Sequence, residues 1–243
     1  MTSASVGRDA WRIPISLVHA DCGKEASGTQ DEVMKSVLRS ISAFIGFSAL
    51  ALQFWLEVGL PHGRSLIGST FNFFSYLTIL TNTFGALAML LPLVAPGTAL
   101  GRFLSRPSVR TAIAGYMVIV GATYFLFLRH LGTDQGLERR ADELLHYATP
   151  ILFLFDWLAF VPKGNVPWSM IGTSLIIPIV YGFWTMAHGA LTNWYPYPFV
   201  DVGKIGYHRA LMNMLACLGV FGAVALTLVL IDRMIGFLLR RDR

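Results

Sequence analysis

Six stretches of the chain stay apolar for about the 20 residues that an α-helix needs to cross the hydrocarbon core of a bilayer, and polar, Pro-rich or Gly-rich segments separate them. They predict helices over residues 40–56, 71–94, 111–128, 144–161, 166–187 and 210–239, with Pro92, Pro96 and Pro162 marking ends. The expected fold is all-α, a polytopic six-helix transmembrane bundle over residues 37–243. Residues 1–36 mix charge, Gly and Ser and read as a flexible cytoplasmic tail. Because the tail has no uninterrupted apolar core, the first helix is expected to act as its own signal.

Polar residues interrupt two of these helices at regular intervals. In the second, Ser75, Thr78 and Asn82 fall within an arc of roughly 60°, with Thr81 beside Thr78. Small polar residues also bind helices to one another, so this face suits either packing or a site. In the fourth, Asp142, His146, Thr149, Phe153 and Asp156 share an arc of roughly 80°. Ionisable groups at membrane depth face a bundle interior or a water-filled cavity. Asp156 is therefore expected to face protein, paired with a hydroxyl, an indole or a backbone donor, in an inner half with no other ionisable side chain.

The second and fourth helices begin on the same side, which sets Thr78 and His146 at one depth, roughly 5 to 10 Å inside. Glu57, His130, Tyr181, Trp184, His188, Arg209 and Asn213 can join that layer. Tyr181, Trp184 and His188 suit an interfacial aromatic anchor equally well, and His62, His130 and His208 read as interfacial.

Composition supports the membrane assignment: 54% of residues are apolar and 14% charged, against about 25% charged in a soluble domain. The net charge of +5 orients the chain rather than binding nucleic acid. With the N-terminus inside, thirteen of the nineteen Lys and Arg residues lie on the inner side, which predicts a cell (inner) membrane protein with both termini cytoplasmic. Trp194, Tyr195 and Tyr197 fit an outer aromatic belt. Cys22 and Cys217 suggest neither a disulfide framework nor a zinc site. No two His have the i, i+4 spacing of a helical metal pair, and no phosphate loop, nucleophile elbow or dinucleotide fingerprint is present. Neither metal nor cofactor is expected.

Three segments, Phe74-Ser75-Tyr76-Leu77-Thr78-Ile79-Leu80-Thr81-Asn82, Leu144-Leu145-His146-Tyr147-Ala148-Thr149-Pro150 and Trp194-Tyr195-Pro196-Tyr197-Pro198-Phe199-Val200-Asp201, resemble bacterial Pr-six-Pr membrane proteins. These are distant relatives of the eukaryotic androgen-induced-protein family. The resemblance covers residues 70–235. It implies a six-helix membrane hydrolase that cleaves fatty-acid esters of hydroxy fatty acids with a threonine nucleophile, matched by Thr78, and a histidine, matched by His146. A threonine hydroxyl is a weak nucleophile unless a base takes its proton, and a neutral imidazole suits that task. Asp142 is then a candidate to orient the imidazole, and Asn82 or Ser75 to donate to the oxyanion. Tyr76, Thr81, Thr149, Trp184, His188 and Asn213 are candidate substrate-lining residues. Membrane lipids and a lipid ester are the expected partners. The alternative is a small lipid or solute carrier whose polar faces form a translocation path.

Overall fold

A helix bonds every backbone N–H and C=O within its own segment, which is why long apolar runs take that form. The computed structural model describes residues 15–60, 65–129 and 136–241, with side chains from residue 29, and among them every regular element is helical. They are α1 (Ile15–Phe54) with a π-helical turn at Trp55–Gly59; α2 (Leu66–Phe74); α3 (Leu77–Val94); α4 (Ala99–Ser105); α5 (Pro107–Thr123) with a π-helical turn at Tyr124–Leu128; and α6 (Leu137–Glu143). A π-helical turn at Leu144–Ala148 leads into α7 (Thr149–Phe160), followed by α8 (Ser169–Ser174), α9 (Ile176–Thr192), a 3₁₀ turn at Pro198–Val200 and α10 (Val202–Arg241). His62, Arg64, His130 and the first 14 residues lie outside the described residues.

The chain divides into two units, residues 1–38 and 39–243. In the first, Lys35 pairs with Glu32 one turn away at 3.0 Å. The second holds α2 to α10.

Among the described residues, five stretches are long and apolar enough to cross a membrane: Thr29–Gly59, Leu77–Val94, Pro107–Leu128, Ser169–Thr192 and Val202–Arg241. The helical run 137–160 is not among them. Glu138, Asp142, Glu143, His146 and Asp156 lower its apolarity.

Two helices expected to be continuous are broken. The run 71–94 breaks at Ser75 and Tyr76: the Ser75 hydroxyl donates to the Phe71 carbonyl at 2.7 Å, and Tyr76 adopts an extended backbone, φ −83° and ψ 129°. Ser75 therefore does not continue the face that carries Thr78 and Asn82. The run 166–187 breaks at Leu175. Pro178 has no N–H to give the Ser174 carbonyl, which accepts instead from the Tyr116 hydroxyl at 2.5 Å. A third bend lies in α10 at Gly206, where φ is 76° and ψ 159°, a region open chiefly to glycine.

One core packs Met89, Met117, Phe153 and Trp157 between α3, α5 and α7; a second packs Ala49, Phe73, Ile79 and Leu145 beneath the start of α3. The interior around Asp156 is not neutral, contrary to the sequence-based expectation. Asp156 is fully buried and faces protein, but its partners are two arginines. Arg39 Nε donates to Oδ1 at 2.6 Å and Arg39 Nη2 to Oδ2 at 3.3 Å, while Arg110 donates to Oδ2 from its Nη2 and to the Ala88 carbonyl at 2.7 Å. The spans expected from sequence begin at 40 and 111, one residue after each arginine; in the structure both arginines sit inside α1 and α5, where the carboxylate and a backbone carbonyl replace the water they lose. Asp232, also fully buried, accepts from the N–H groups of Gly164 and Val166 at 3.0 and 3.1 Å and so ties the α7–α8 connection to α10.

Candidate active site

The broken helix places Thr78 in the first turn of α3, where backbone N–H groups have no intrahelical acceptor and the helix end is electropositive. Facing it is the π-helical turn Leu144–Ala148. Here the Thr149 N–H bonds to the carbonyl of Leu144 rather than that of Leu145. Continuing in that register, the Leu145 carbonyl would need the N–H of residue 150, which is Pro150 and has none. Side chains satisfy it instead: Asn82 Nδ2 donates to it at 3.1 Å, and the Thr149 hydroxyl lies at 3.1 Å. Asn82 Nδ2 also donates to the Thr78 carbonyl at 2.9 Å, and its Oδ1 accepts from Thr149. One buried amide thus locks the start of α3 to the turn that carries His146.

The same turn brings His146 Nε2 to 3.2 Å from Thr78 Oγ1, both residues being buried. His146 Nδ1 lies 2.9 Å from the Asp142 carbonyl oxygen. A carbonyl only accepts, so Nδ1 carries the proton in the neutral ring, Nε2 is the acceptor, and the Thr78 hydroxyl donates to it. The orienting group is therefore the Asp142 backbone; its carboxylate stands at 3.8 Å. Tyr124, from the π-helical turn that ends α5, stacks on the imidazole with ring centroids 4.1 Å apart and an interplanar angle of 15°. Gly121 makes this approach possible, since a Cβ there would meet the His146 carbonyl at 3.0 Å.

Tyr197 closes the site from the turn between α9 and α10. The Thr78 side chain, the backbone N–H groups of Thr78 and Leu77 and the Tyr181 hydroxyl favour its ionised form by hydrogen bonding. Burial pushes the Tyr197 phenol up from its ordinary range, outweighing these hydrogen bonds, so the hydroxyl stays protonated. The ring lies 6.1 Å from Tyr76 and stacks on Phe199 at 5.2 Å.

Thr78, Leu128 and Tyr197 line two cavities at once. One, of about 410 Å³, is almost wholly apolar and runs between α5, α9 and α10 past Ile119, Met186, Cys217 and Phe221. The other, of about 340 Å³, is more polar and is bordered by Gln53, Glu57, Tyr76, Glu138, Asp142 and His146.

The remaining candidates lie elsewhere. Asn82 is committed to the two carbonyls, and Ser75, fully buried, donates to Phe71 and accepts from Trp184 Nε1 at 3.0 Å, so neither donates to the Thr78 hydroxyl. Trp184 and His188 are stacked, and His188 Nε2 meets Asn72 Oδ1 at 3.0 Å. Asn213 donates to the Phe199 carbonyl at 2.7 Å, holding the turn that bears Tyr197. Thr81 is buried, and Thr149 belongs to the Asn82 network. Of the lining candidates, Tyr76 alone borders either cavity. Among the described residues, no three His, Cys, Asp or Glu side chains gather as a metal site would require.

Tyr124 and Tyr197 were not singled out as site residues from sequence. Nothing in the sequence near Tyr124 marks it. Tyr197 sits between Pro196 and Pro198, a stiffened turn that is a legible signal in retrospect. No family model, curated protein or solved structure matches the chain.

Proposed function

We propose that the chain is an intramembrane hydrolase of lipid esters, such as fatty-acid esters of hydroxy fatty acids, with Thr78 as nucleophile and His146 as base. The observation that carries this is the Thr78–His146 hydrogen bond of 3.2 Å at the junction of an apolar and a polar cavity. An ester has that polarity: an acyl chain on one side of the carbonyl and, in a hydroxy fatty acid, oxygen-bearing groups on the other. The kinship with Pr-six-Pr proteins is part of the same proposal.

In the reaction, Thr78 Oγ1 attacks the ester carbon as its proton passes to His146 Nε2, and the carbonyl π pair moves onto oxygen. The tetrahedral adduct collapses by breaking the bond to the alcohol, which leaves with the proton from His146. Water then attacks the acyl-threonine, giving one proton to His146. Release of the acid returns that proton to Thr78, so that ester and water become acid and alcohol.

The helical run 137–160 supplies the sixth span in this proposal. At about 1.5 Å per residue it is about 36 Å long; His146, Thr149 and Asp156 are buried against protein, while Glu138, Arg139 and Arg140 are exposed at its first turn. The termini are cytoplasmic and the membrane is the inner one. A carrier, the second reading, needs a route past Met117, Phe153, Trp157 and the ion-paired arginines, and the packing there favours the hydrolase.

The decisive test is labelling of purified protein with a fluorophosphonate ester probe. A covalent adduct that is lost in Thr78→Ala supports the hydrolase; equal labelling of both proteins, or of neither, removes it. Cysteines placed at Gly136 and Asp201 should react from outside the cell and one at Arg241 should not; the inverse result overturns the orientation.

A further inference from the structure

We infer that the apolar cavity beside Thr78 takes the acyl chain of a lipid sideways from the bilayer, through a mouth between α9 and α10. What happens to the ester at Thr78 rests on the hydrolase reading above; the chain site and its route rest on the exposure and shape of the cavity wall.

That wall is closed on one side and open on another. Ile119 and Val120 of α5 and Phe221 of α10 form a buried floor. The lining residues that are exposed at the surface of the bundle are Ile179 and Phe183, one turn apart on α9, and Leu211 and Leu215, one turn apart on α10, with exposures from 41% to 75%. All four belong to runs long and apolar enough to cross a membrane, so in a bilayer the mouth they frame meets lipid chains rather than water. Phe183 lies nine residues before the end of α9 at Thr192, and Leu215 nine residues after the bend at Gly206. Both are therefore about 14 Å from those points, a depth within one leaflet. Hydrogen bonds from Tyr181 and Trp184 to Ser75, at 2.8 and 3.0 Å, hold this half of α9 beside the start of α3, so the mouth and Thr78 share that leaflet.

A chain already in a bilayer gains no hydrophobic energy by moving into an apolar cavity, because both surroundings are equally dry. Contact draws it in: a void forfeits the dispersion attraction of its lining atoms, and a flexible chain restores it. Occupancy then depends on free volume, about 410 Å³ here. Gly182 of α9 and Met214 of α10 both line this space, and a Cβ at 182 would meet Met214 Cε at 2.7 Å. The missing side chain at 182 therefore leaves room that a larger residue would fill. A chain seated on the floor reaches Thr78 at the end where the polar cavity begins, so its carbonyl stops beside the hydroxyl and the rest of the lipid lies in the polar space.

The test places the full-length protein in phosphatidylcholine vesicles doped with a phosphatidylcholine whose acyl chain ends in a diazirine, irradiates them and reads the labelled residues by mass spectrometry. Ile119 and Phe221 are expected to carry label alongside the exposed Phe183 and Leu215. Gly182→Leu should lower labelling of the floor about tenfold or more, while Gly172→Leu, an equal enlargement in α8 with open space around it, should leave it unchanged. Leu215→Trp closes the mouth by a second route and carries the same expectation should Gly182→Leu fail to fold. Label confined to exposed residues, or floor label that survives both closures, overturns the chain site. A floor labelled by a diazirine-bearing octanoic acid added from water, but not by the vesicle lipid, overturns entry from the bilayer. A fluorophosphonate adduct at Thr78 beside an unlabelled floor removes the chain site and leaves the hydrolase; a labelled floor without an adduct removes the hydrolase and leaves the chain site.

Discussion

The side-chain amide of Asn82 donates to the Leu145 carbonyl at 3.1 Å, across the gap between α3 and the turn that carries His146. Because Pro150 cannot supply a backbone donor there, the two residues complete each other, and the amide's second bond, to the Thr78 carbonyl, fixes Thr78 and His146 to one frame.

Asn82→Ala leaves those buried carbonyls short of a donor and should cost about 2 kcal/mol of stability. In the proposed enzyme it should also lower kcat more than it raises KM, because the Thr78–His146 distance loosens while neither cavity changes. Thermal unfolding in detergent and ester hydrolysis on the same preparation check both. An unchanged melting temperature would show that the bridge is dispensable.

Thr78 and His146 should behave as one unit. Either alanine variant alone should remove most of the hydrolysis, and the double variant should lose little more, as expected when two groups serve a single step. Thr81→Ala, whose hydroxyl borders neither cavity, should retain most of its rate. Additive losses in the double variant would separate the two residues.

Asp156 should be far more sensitive to removal than its distance from Thr78 suggests. Asp156→Ala leaves two buried guanidinium groups without their carboxylate, a change that costs about 3–5 kcal/mol. Replacing Arg39, Arg110 and Asp156 together by Met, Met and Leu should restore much of that loss, since all three charges then disappear at once. Unfolding midpoints of the single and triple variants decide it.

Lys163, in the connection between α7 and α8, carries the pH dependence. Burial pulls its ammonium down to about 8, against the carboxylates of Asp232 and Asp156, which raise it, and with Arg110, which lowers it further. In the folded state the ammonium is thus depressed below its unfolded value, the unfolded chain binds more protons between about pH 8 and 10.5, and stability due to this group rises with pH across that window. Measured against Lys163→Met, the wild-type protein should gain on the order of 1 kcal/mol between pH 8 and 10, after allowance for the half-exposed ammonium. A constant difference across that range would contradict the depressed value.

The sequence alone determined that the chain is helical and built for a membrane, because apolar runs of lipid length admit no other regular structure. It also picked out Thr78 and His146, since a polar residue in an apolar helix is conspicuous at helical spacing. Tertiary structure alone decided how they meet. Ser75 was grouped with Thr78 by helical phase, yet the break at Tyr76 turned it toward Trp184, because a hydroxyl bonded to the Phe71 carbonyl ends one helix and an extended residue starts another. The sequence-based partner for Asp156 is neutral, yet in the fold it pairs with Arg39 of α1 and Arg110 of α5, because a buried carboxylate is satisfied most fully by opposite charge, and that charge comes from residues 117 and 46 positions away. Asp142 was expected to use its carboxylate, yet the π-helical turn offered its carbonyl instead. Each of these outcomes depends on which backbone group lacks a partner in the folded chain, and periodicity carries no record of that.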